Sequence, residues 1–231
     1  MTSLPDLPLV SVVMAAYNVE AYIRDALESV LAQDWRPFEI VVVDDGSEDS
    51  TPEIVESMPG VRCIRQENAG PSAARNAALA AAEGEFIAVF DSDDLMAPGR
   101  LRLQADYLLA HPEVGAVLGR QEWLNPPAWL SRDAVYGDLG GIPVGPSAMF
   151  RGEVIRELGG YDTAFTHGED TDLLIRMRER GPDYVVLPEV VHYRRYRATS
   201  LTGGRPPQHS LLRSLRAKLE REHGGAEAGA S

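Results

Sequence analysis

The sequence predicts a single-domain α/β protein whose mainly parallel sheet is flanked by helices. Leu9–Ala16, Phe38–Val43 and Phe86–Phe90 are apolar runs interrupted only by Ser11 and Glu39, the mark of strands buried on both faces. Helical patterns separate these runs, and alternation at this rhythm requires parallel pairing through right-handed crossovers. The length, 231 residues, suits one such domain.

Leu9–Ala16 is the first strand. Asn18 is placed to cap a helix, and Ile23, Leu27, Val30 and Leu31 recur on one face of it. Pro37 separates that helix from the β-branched run Phe38–Val43, and Asp44-Asp45-Gly46-Ser47 is turn chemistry. Ser50-Thr51-Pro52-Glu53 has a capping-box pattern with an early proline, so it opens the next helix. Val61–Ile64 is a short third strand. Pro71 starts an alanine-rich helix running to about Ala82, with Gly84 beyond its end. The fourth strand, Phe86–Phe90, runs into Asp91-Ser92-Asp93-Asp94. A helix from about Gly99 to Ala110 and a strand at Val114–Leu118 follow.

After Gly119 the period is lost. Residues 120–145 contain Trp123, Trp129, Pro126-Pro127 and Gly140-Gly141, and the segment reads as a long loop. Beyond it the expected elements are a strand at Ser147–Arg151, a short helix at Glu153–Leu158 and a helix at Glu169–Arg180. Strands at Tyr184–Leu187 and Val190–Tyr196 and a C-terminal helix over 207–222 complete the set. Residues 223–231, rich in Gly, Ala and Ser, read as a disordered tail.

The net charge of −13 argues against a nucleic-acid partner and against docking on anionic lipid. Cys63 is the only cysteine, so an internal disulfide is impossible, in keeping with a reducing compartment. No secretory leader is expected at the N-terminus. The apolar stretches fall well short of the ~20 residues of a membrane helix. Together these features predict a cytoplasmic protein without a transmembrane segment.

Ligands of open parallel sheets bind outside the carboxyl ends of the strands. Three polar clusters fall there: Ala15-Ala16-Tyr17-Asn18, Asp44-Asp45-Gly46-Ser47 and Asp91-Ser92-Asp93-Asp94. A G-x-x-x-x-G-K-[ST] loop is absent, and so is a G-x-G-x-x-G after the first strand, which removes P-loop and dinucleotide sites. Three aspartates in four residues repel one another unless a cation is present. Hard oxygen ligands suit Mg²⁺ or Mn²⁺, which commonly join carboxylates to substrate phosphates.

The chain resembles the family 2 glycosyltransferases, which have the Rossmann-like GT-A fold. The matching segments begin with Val12–Asn18, Val42–Ser47 and Gln66–Asn76. Asp91–Asp94 and Gly168–Leu173 follow in the family's order, so the resemblance covers residues 9 to about 202. It implies an inverting transfer of a sugar from a nucleotide-diphosphate sugar to an acceptor hydroxyl. The implied setting is cell-surface polysaccharide, glycolipid or related glycan synthesis, with an unidentified glycan, lipid-linked or small-molecule acceptor. By position it assigns Ala15, Tyr17, Asp45, Arg75 and Ser92 to the nucleotide, and Asp91 and Asp93 to a Mn²⁺ or Mg²⁺ ion. Asp170 is assigned as catalytic base, with Glu169 before it. The first helical turn is expected to keep Asp170 ionised, and Asp172 is expected to point elsewhere. On this reading 1–222 is one domain. Its nucleotide-binding half spans about 9–118, its acceptor and catalytic half about 119–206, and its C-terminal helix about 207–222.

One departure from the family pattern is visible. Where many members carry a histidine that helps bind metal or phosphate, this chain has Tyr196, and His192 lies four residues earlier. Four strand residues at ~3.3 Å each span more than ~12 Å, so His192 is no simple substitute.

Each cluster also has an ordinary reading. Asp44–Ser47 alone is a common strand-to-helix turn, Arg75 alone a surface ion pair, Glu169–Asp172 alone an acidic first helical turn, and the tryptophans alone a cover for the core. The alternative function is a catalytically inactive nucleotide-sugar-binding module, which would lack the base that Asp170 provides. A nucleotidyltransferase would need a glycine-rich, Lys/Arg-bearing loop after the first strand, which is absent. A processive synthase would need membrane helices and a Gln-x-x-Arg-Trp motif, and the sequence has neither.

Overall fold

The computed structural model describes residues 7–126, 145–165 and 168–197. The expected C-terminal helix and tail, Trp129 and most of the 120–145 loop lie outside the described residues. Eight strands form one sheet: β1 (Val10–Ala16), β2 (Phe38–Asp44), β3 (Val61–Arg65), β4 (Phe86–Asp91), β5 (Leu95–Met96), β6 (Val114–Trp123), β7 (Met149–Arg151) and β8 (Asp183–Arg194). Their order is β3-β2-β1-β4-β7-β6-β8-β5. The first half is parallel throughout: β1 pairs with β2 and β4, and β2 with β3. β7 is antiparallel to both β4 and β6, so the sheet is mixed beyond β4.

Among the described residues six helices flank the sheet: α1 (Ile23–Leu31), α2 (Thr51–Glu56), α3 (Pro71–Ala81), α4 (Arg100–Ala110), α5 (Gly152–Glu157) and α6 (Glu169–Arg180). Because side chains alternate across a strand, β1 feeds two cores. Val12 and Met14 pack with Ile23 and Leu27 of α1 and Leu101 and Leu108 of α4. Val13 packs on the opposite face with Ala74 and Ala78 of α3 and Leu173 and Met177 of α6.

Two polar residues of α4 stitch the mixed half together. Arg100 Nη2 donates to the carbonyls of Val89 and Ala148, and Gln104 Nε2 to those of Val117 and Ser147. These bonds tie α4 to backbone carbonyls of β4, β6 and the segment before β7.

Several local expectations are corrected. Asn18 does not cap α1: it has a left-handed φ of 49°, and its Oδ1 accepts from the Glu48 amide while its own amide donates to Ser47 Oγ. It clips the end of β1 to the turn after β2. Ser50 makes no side-chain cap to α2; Asp49 Oδ1 accepts from the Thr51 amide instead. The strands expected at Tyr184–Leu187 and Val190–Tyr196 are one strand, β8. Leu118 pairs with Val186 but Arg120 with Val190, so the sheet absorbs Pro188 as a bulge. β6 runs on to Trp123, so the first residues of the expected loop are strand. β5, which pairs with His192 and Tyr193, carried no sequence signal. Among the described residues, no helix is long and apolar enough to cross a membrane.

Candidate active site

The register places the three polar clusters side by side. Ala15 pairs with Asp91 on one flank of β1, and Ala16 pairs with Asp44 on the other. The chain therefore leaves β1, β2 and β4 at one edge, where Tyr17 is 48% exposed and free to contact a ligand.

Asp45 is buried beside that edge. Its Oδ1 accepts from Gln66 Nε2 at 2.6 Å and from the Ala69 amide at 2.9 Å, and its Oδ2 accepts from the Gly70 amide at 2.9 Å. One carboxylate thus moulds the whole 66–70 segment before α3. Gly46, with φ +76°, lets that segment approach: a Cβ there would stand 3.0 Å from the Asn68 nitrogen.

Arg75, on α3, is buried and bridges two elements far apart in sequence. Nη2 meets Asp91 Oδ1 at 2.9 Å, and Nη1 meets Glu169 Oε1 at 2.7 Å. The guanidinium also lies over the Tyr161 ring, 5.5 Å from its centre. Burial alone would weaken its charge, but Asp170, Asp91, Tyr161 and Glu169 hold it protonated far above its ordinary range. Burial would likewise raise the Asp91 carboxyl, yet Arg75, His192 and Arg194 keep it below the usual carboxylate range.

Carboxylate oxygens of Asp91, Asp93 and Asp94 come within 4.8 Å of one another, a spacing that suits a divalent cation. Asp94 is already committed: Oδ2 meets His192 Nε2 at 2.6 Å, and Oδ1 accepts from the Arg195 amide at 2.7 Å. Asp93 Oδ2 pairs with Arg197 Nε at 2.7 Å. Burial, then Asp94 and Asp91, push Asp93 up to about 6. That crowding of negative charge is what a cation would relieve, and Arg75 on Asp91 and Arg197 on Asp93 relieve part of it here. Ser92, between them, is buried.

Asp170 sits in the first turn of α6. Its Oδ1 is buried without a hydrogen-bond partner, although the residue as a whole remains partly open. The 3₁₀ turn Gly145–Ser147 presses against it: a Cβ on Gly145 would collide with the Asp170 carboxylate. Burial raises the Asp170 carboxyl to about 7; Arg75 opposes the rise, and Glu169 and Asp91 add to it. The helix N-terminus therefore does not hold Asp170 in the ordinary carboxylate range: desolvation, with Glu169 and Asp91, offsets it and brings ionisation close to neutral pH.

Residues 11–159 match the family model described as glycosyl transferase family 2. The chain belongs to this family. The succinoglycan biosynthesis protein ExoO of Rhizobium meliloti (strain 1021) is 51% identical over 98 residues, which is 41% of this chain and 28% of ExoO. The chain thus spans well under two thirds of the length of that relative. Among solved structures, S. aureus TarS 1-349 in complex with UDP-GlcNAc superposes with a TM-score of 0.73 at 25% identity, covering 90% of this chain and 64% of TarS. The mannosyltransferase PcManGT from Pyrobaculum calidifontis, in complex with GDP-Man and Mn²⁺, gives a TM-score of 0.66 at 28% identity, covering 81% of this chain and 56% of the other. The GT-A fold expected from the sequence is borne out.

In this family 2 glycosyltransferase, Ala15, Tyr17, Asp45, Arg75, Asp91, Ser92 and Asp93 gather at one sheet edge, and Arg75 ties Asp170's helix to it. His192 is spent structurally, since its two ring nitrogens face Asp94 and the Pro146 carbonyl. Asp172 is fully buried and pairs with Arg176 at 2.7 Å. Trp123 ends β6 with the Arg194 guanidinium 4.9 Å from its ring centre. Gly145, Tyr161 and the Asp94–His192 pair were not found by sequence reasoning. Gly145, Tyr161 and His192 lie in no carboxylate-rich run, and only tertiary contact reveals them or the partner of Asp94.

Proposed function

We propose that the chain transfers a sugar from a nucleotide-diphosphate sugar to an acceptor hydroxyl, inverting the anomeric centre. The observation that supports this reading is the Arg75 bridge, which joins Asp91 to Glu169, the neighbour of Asp170. ExoO's name and the nucleotide sugars bound to TarS and PcManGT support it. The setting is synthesis of a polysaccharide or related glycan. A lone free cysteine favours a cytoplasmic site. Residues 9–118 form the donor half, and residues 119–206 the acceptor half.

Ala15, Tyr17 and Asp45 hold the base and ribose, with Arg75 and Ser92 completing the donor site. Asp91 and Asp93 would hold Mn²⁺ or Mg²⁺, which when bound would supply charge neutralisation for the diphosphate and its departure. Asp170 accepts the acceptor proton as the hydroxyl attacks the anomeric carbon.

The test is calorimetric titration of UDP, dTDP and GDP with Mn²⁺ and with EDTA. Binding of one nucleotide is expected with metal and is lost with EDTA, because carboxylates and diphosphate otherwise repel. Equal affinity in both sinks the metal assignment. Asp93→Asn is expected to mimic EDTA.

Asp45→Asn is expected to weaken nucleotide binding by about tenfold or more, the worth of one or two charge-assisted hydrogen bonds. The amide would also turn an N–H toward the donors of residues 66–70 and unlatch that segment. An unchanged dissociation constant, with the fold intact by circular dichroism, removes Asp45 from the site.

A further inference from the structure

We propose that Tyr161 is the positioning residue of the Asp170 base, its hydroxyl donating to Asp170 Oδ1 and fixing the carboxylate for proton acceptance. This rests on the base assignment of Asp170 made above.

Tyr161 is 2% exposed, and its hydroxyl is buried with no hydrogen-bond partner. A site meant only for packing would be served by phenylalanine, because a buried hydroxyl left unpaired is costly. Asp170 Oδ1 is the complementary orphan, a buried acceptor without a donor. Gly145 closes one side of that oxygen, and having no side chain it offers no hydroxyl or amide group there. The phenol is near enough to favour the ionised carboxylate. The groups coupled to Asp170 are Arg75 on α3, Glu169 on α6, Asp91 on β4 and Tyr161 itself. Arg75 spends both terminal nitrogens on Asp91 and Glu169, so of its guanidinium only Nε, itself buried without a partner, competes with the Tyr161 hydroxyl for Oδ1.

The backbone of Tyr161 is held for this task. Asn76 Nδ2 donates to the Tyr161 carbonyl at 2.8 Å, and the Tyr161 amide donates to Asn76 Oδ1 at 2.8 Å. Asn76 follows Arg75 on α3, so one helical turn sets both the guanidinium that bridges the site and the phenol beneath it. A hydrogen bond to an ionised acceptor is about twice as strong as a neutral one. It would therefore tighten as Asp170 loses its proton, holding Oδ1 inward and leaving the other oxygen for the acceptor hydroxyl.

The test is a double-mutant cycle of Tyr161→Phe and Asp170→Asn, read first by thermal unfolding of the ligand-free chain at pH 5.5 and pH 8.5. The expected result is midpoints that are non-additive by about 2 °C or more at pH 8.5, and less so at pH 5.5. Additive midpoints at both pH values overturn the contact. Turnover of whichever UDP-, dTDP- or GDP-sugar binds is the second readout. Tyr161→Phe is expected to lower kcat about tenfold, with nucleotide affinity unchanged, and to move the acidic limb of the pH profile upward. A residue that only packs would leave that limb in place, and an unmoved limb overturns the role. Near-normal turnover in Asp170→Asn would overturn the base assignment and this proposal together. A dead Asp170→Asn with additive midpoints would overturn this proposal alone.

Discussion

Asp170→Asn is expected to abolish transfer by ~10²–10⁴-fold, the usual worth of general base catalysis, while nucleotide and metal affinity persist. The substitution conserves shape and removes only the proton acceptor. Product formation with an identified donor and acceptor measures it, and Asp172→Asn, remote from the cleft, is the control. Near-normal turnover in Asp170→Asn would exclude Asp170 as the base. A wild type that binds donor yet neither transfers nor hydrolyses it would favour the inactive binding module.

The same variant has a signature in stability. Asp170 is raised to about 7 chiefly by burial, above its ordinary unfolded value of 3.8. Between those values the native chain binds more protons than the unfolded one, so this group makes stability fall as pH rises. The cost is absent below about pH 4 and complete above about pH 7. Asn cannot ionise, so the midpoint advantage of Asp170→Asn over wild type should grow across that window and then level off. Each ~1 kcal/mol moves the midpoint of a chain this size by about 2–4 °C. A constant difference from pH 4 to pH 8 would mean that the carboxyl is not buried as described. A base that destabilises its own fold is what a partly desolvated catalytic carboxylate entails.

Removal of Arg75 should have the largest effect on the fold. Arg75→Met keeps length and apolar bulk but leaves Asp91 and Glu169 without their guanidinium and Asp170 without its nearest countercharge. Breaking a buried pair in this way costs about 3–5 kcal/mol. The midpoint at pH 7.5 should fall by roughly 6–20 °C on the same scale. The loss should shrink toward pH 5, where the stranded carboxyls can take up protons. Arg75→Lys should recover only part, since one ammonium cannot span both carboxylates as the planar fork does. A midpoint for Arg75→Met within about 1 °C of wild type would show that the bridge contributes nothing.

Much of the parallel half of the sheet was legible in the sequence because its signals are local. Apolar runs mark the strands β1, β2 and β4. The topology rule then places Tyr17, Asp45 and Asp91–Asp94 at one edge without reference to any contact. Helical spacing alone separates Asp172 from Asp170, and in the structure Asp172 pairs with Arg176. Errors arose where a local motif had a stronger distant partner. Asn18 and Ser50 look like caps, but Asn18 is drawn to the turn after β2, and Asp49 reaches the α2 amide first. Pro188 looks like a strand end, but the sheet accommodates it as a bulge.

The sequence by itself thus determined the α/β class, the family, and which carboxylates crowd the strand ends. All of these follow from short-range pattern and strand polarity. Tertiary structure alone decided how those carboxylates behave. Whether Asp170 is charged depends on burial and on Arg75, Glu169 and Asp91, which lie as far as 95 positions away in the chain (170 − 75 = 95). Whether Asp94 or His192 is free for a metal depends on their mutual contact across 98 positions. Charge state and ligand availability are set by desolvation and by neighbours in space, and neither is encoded in sequence spacing.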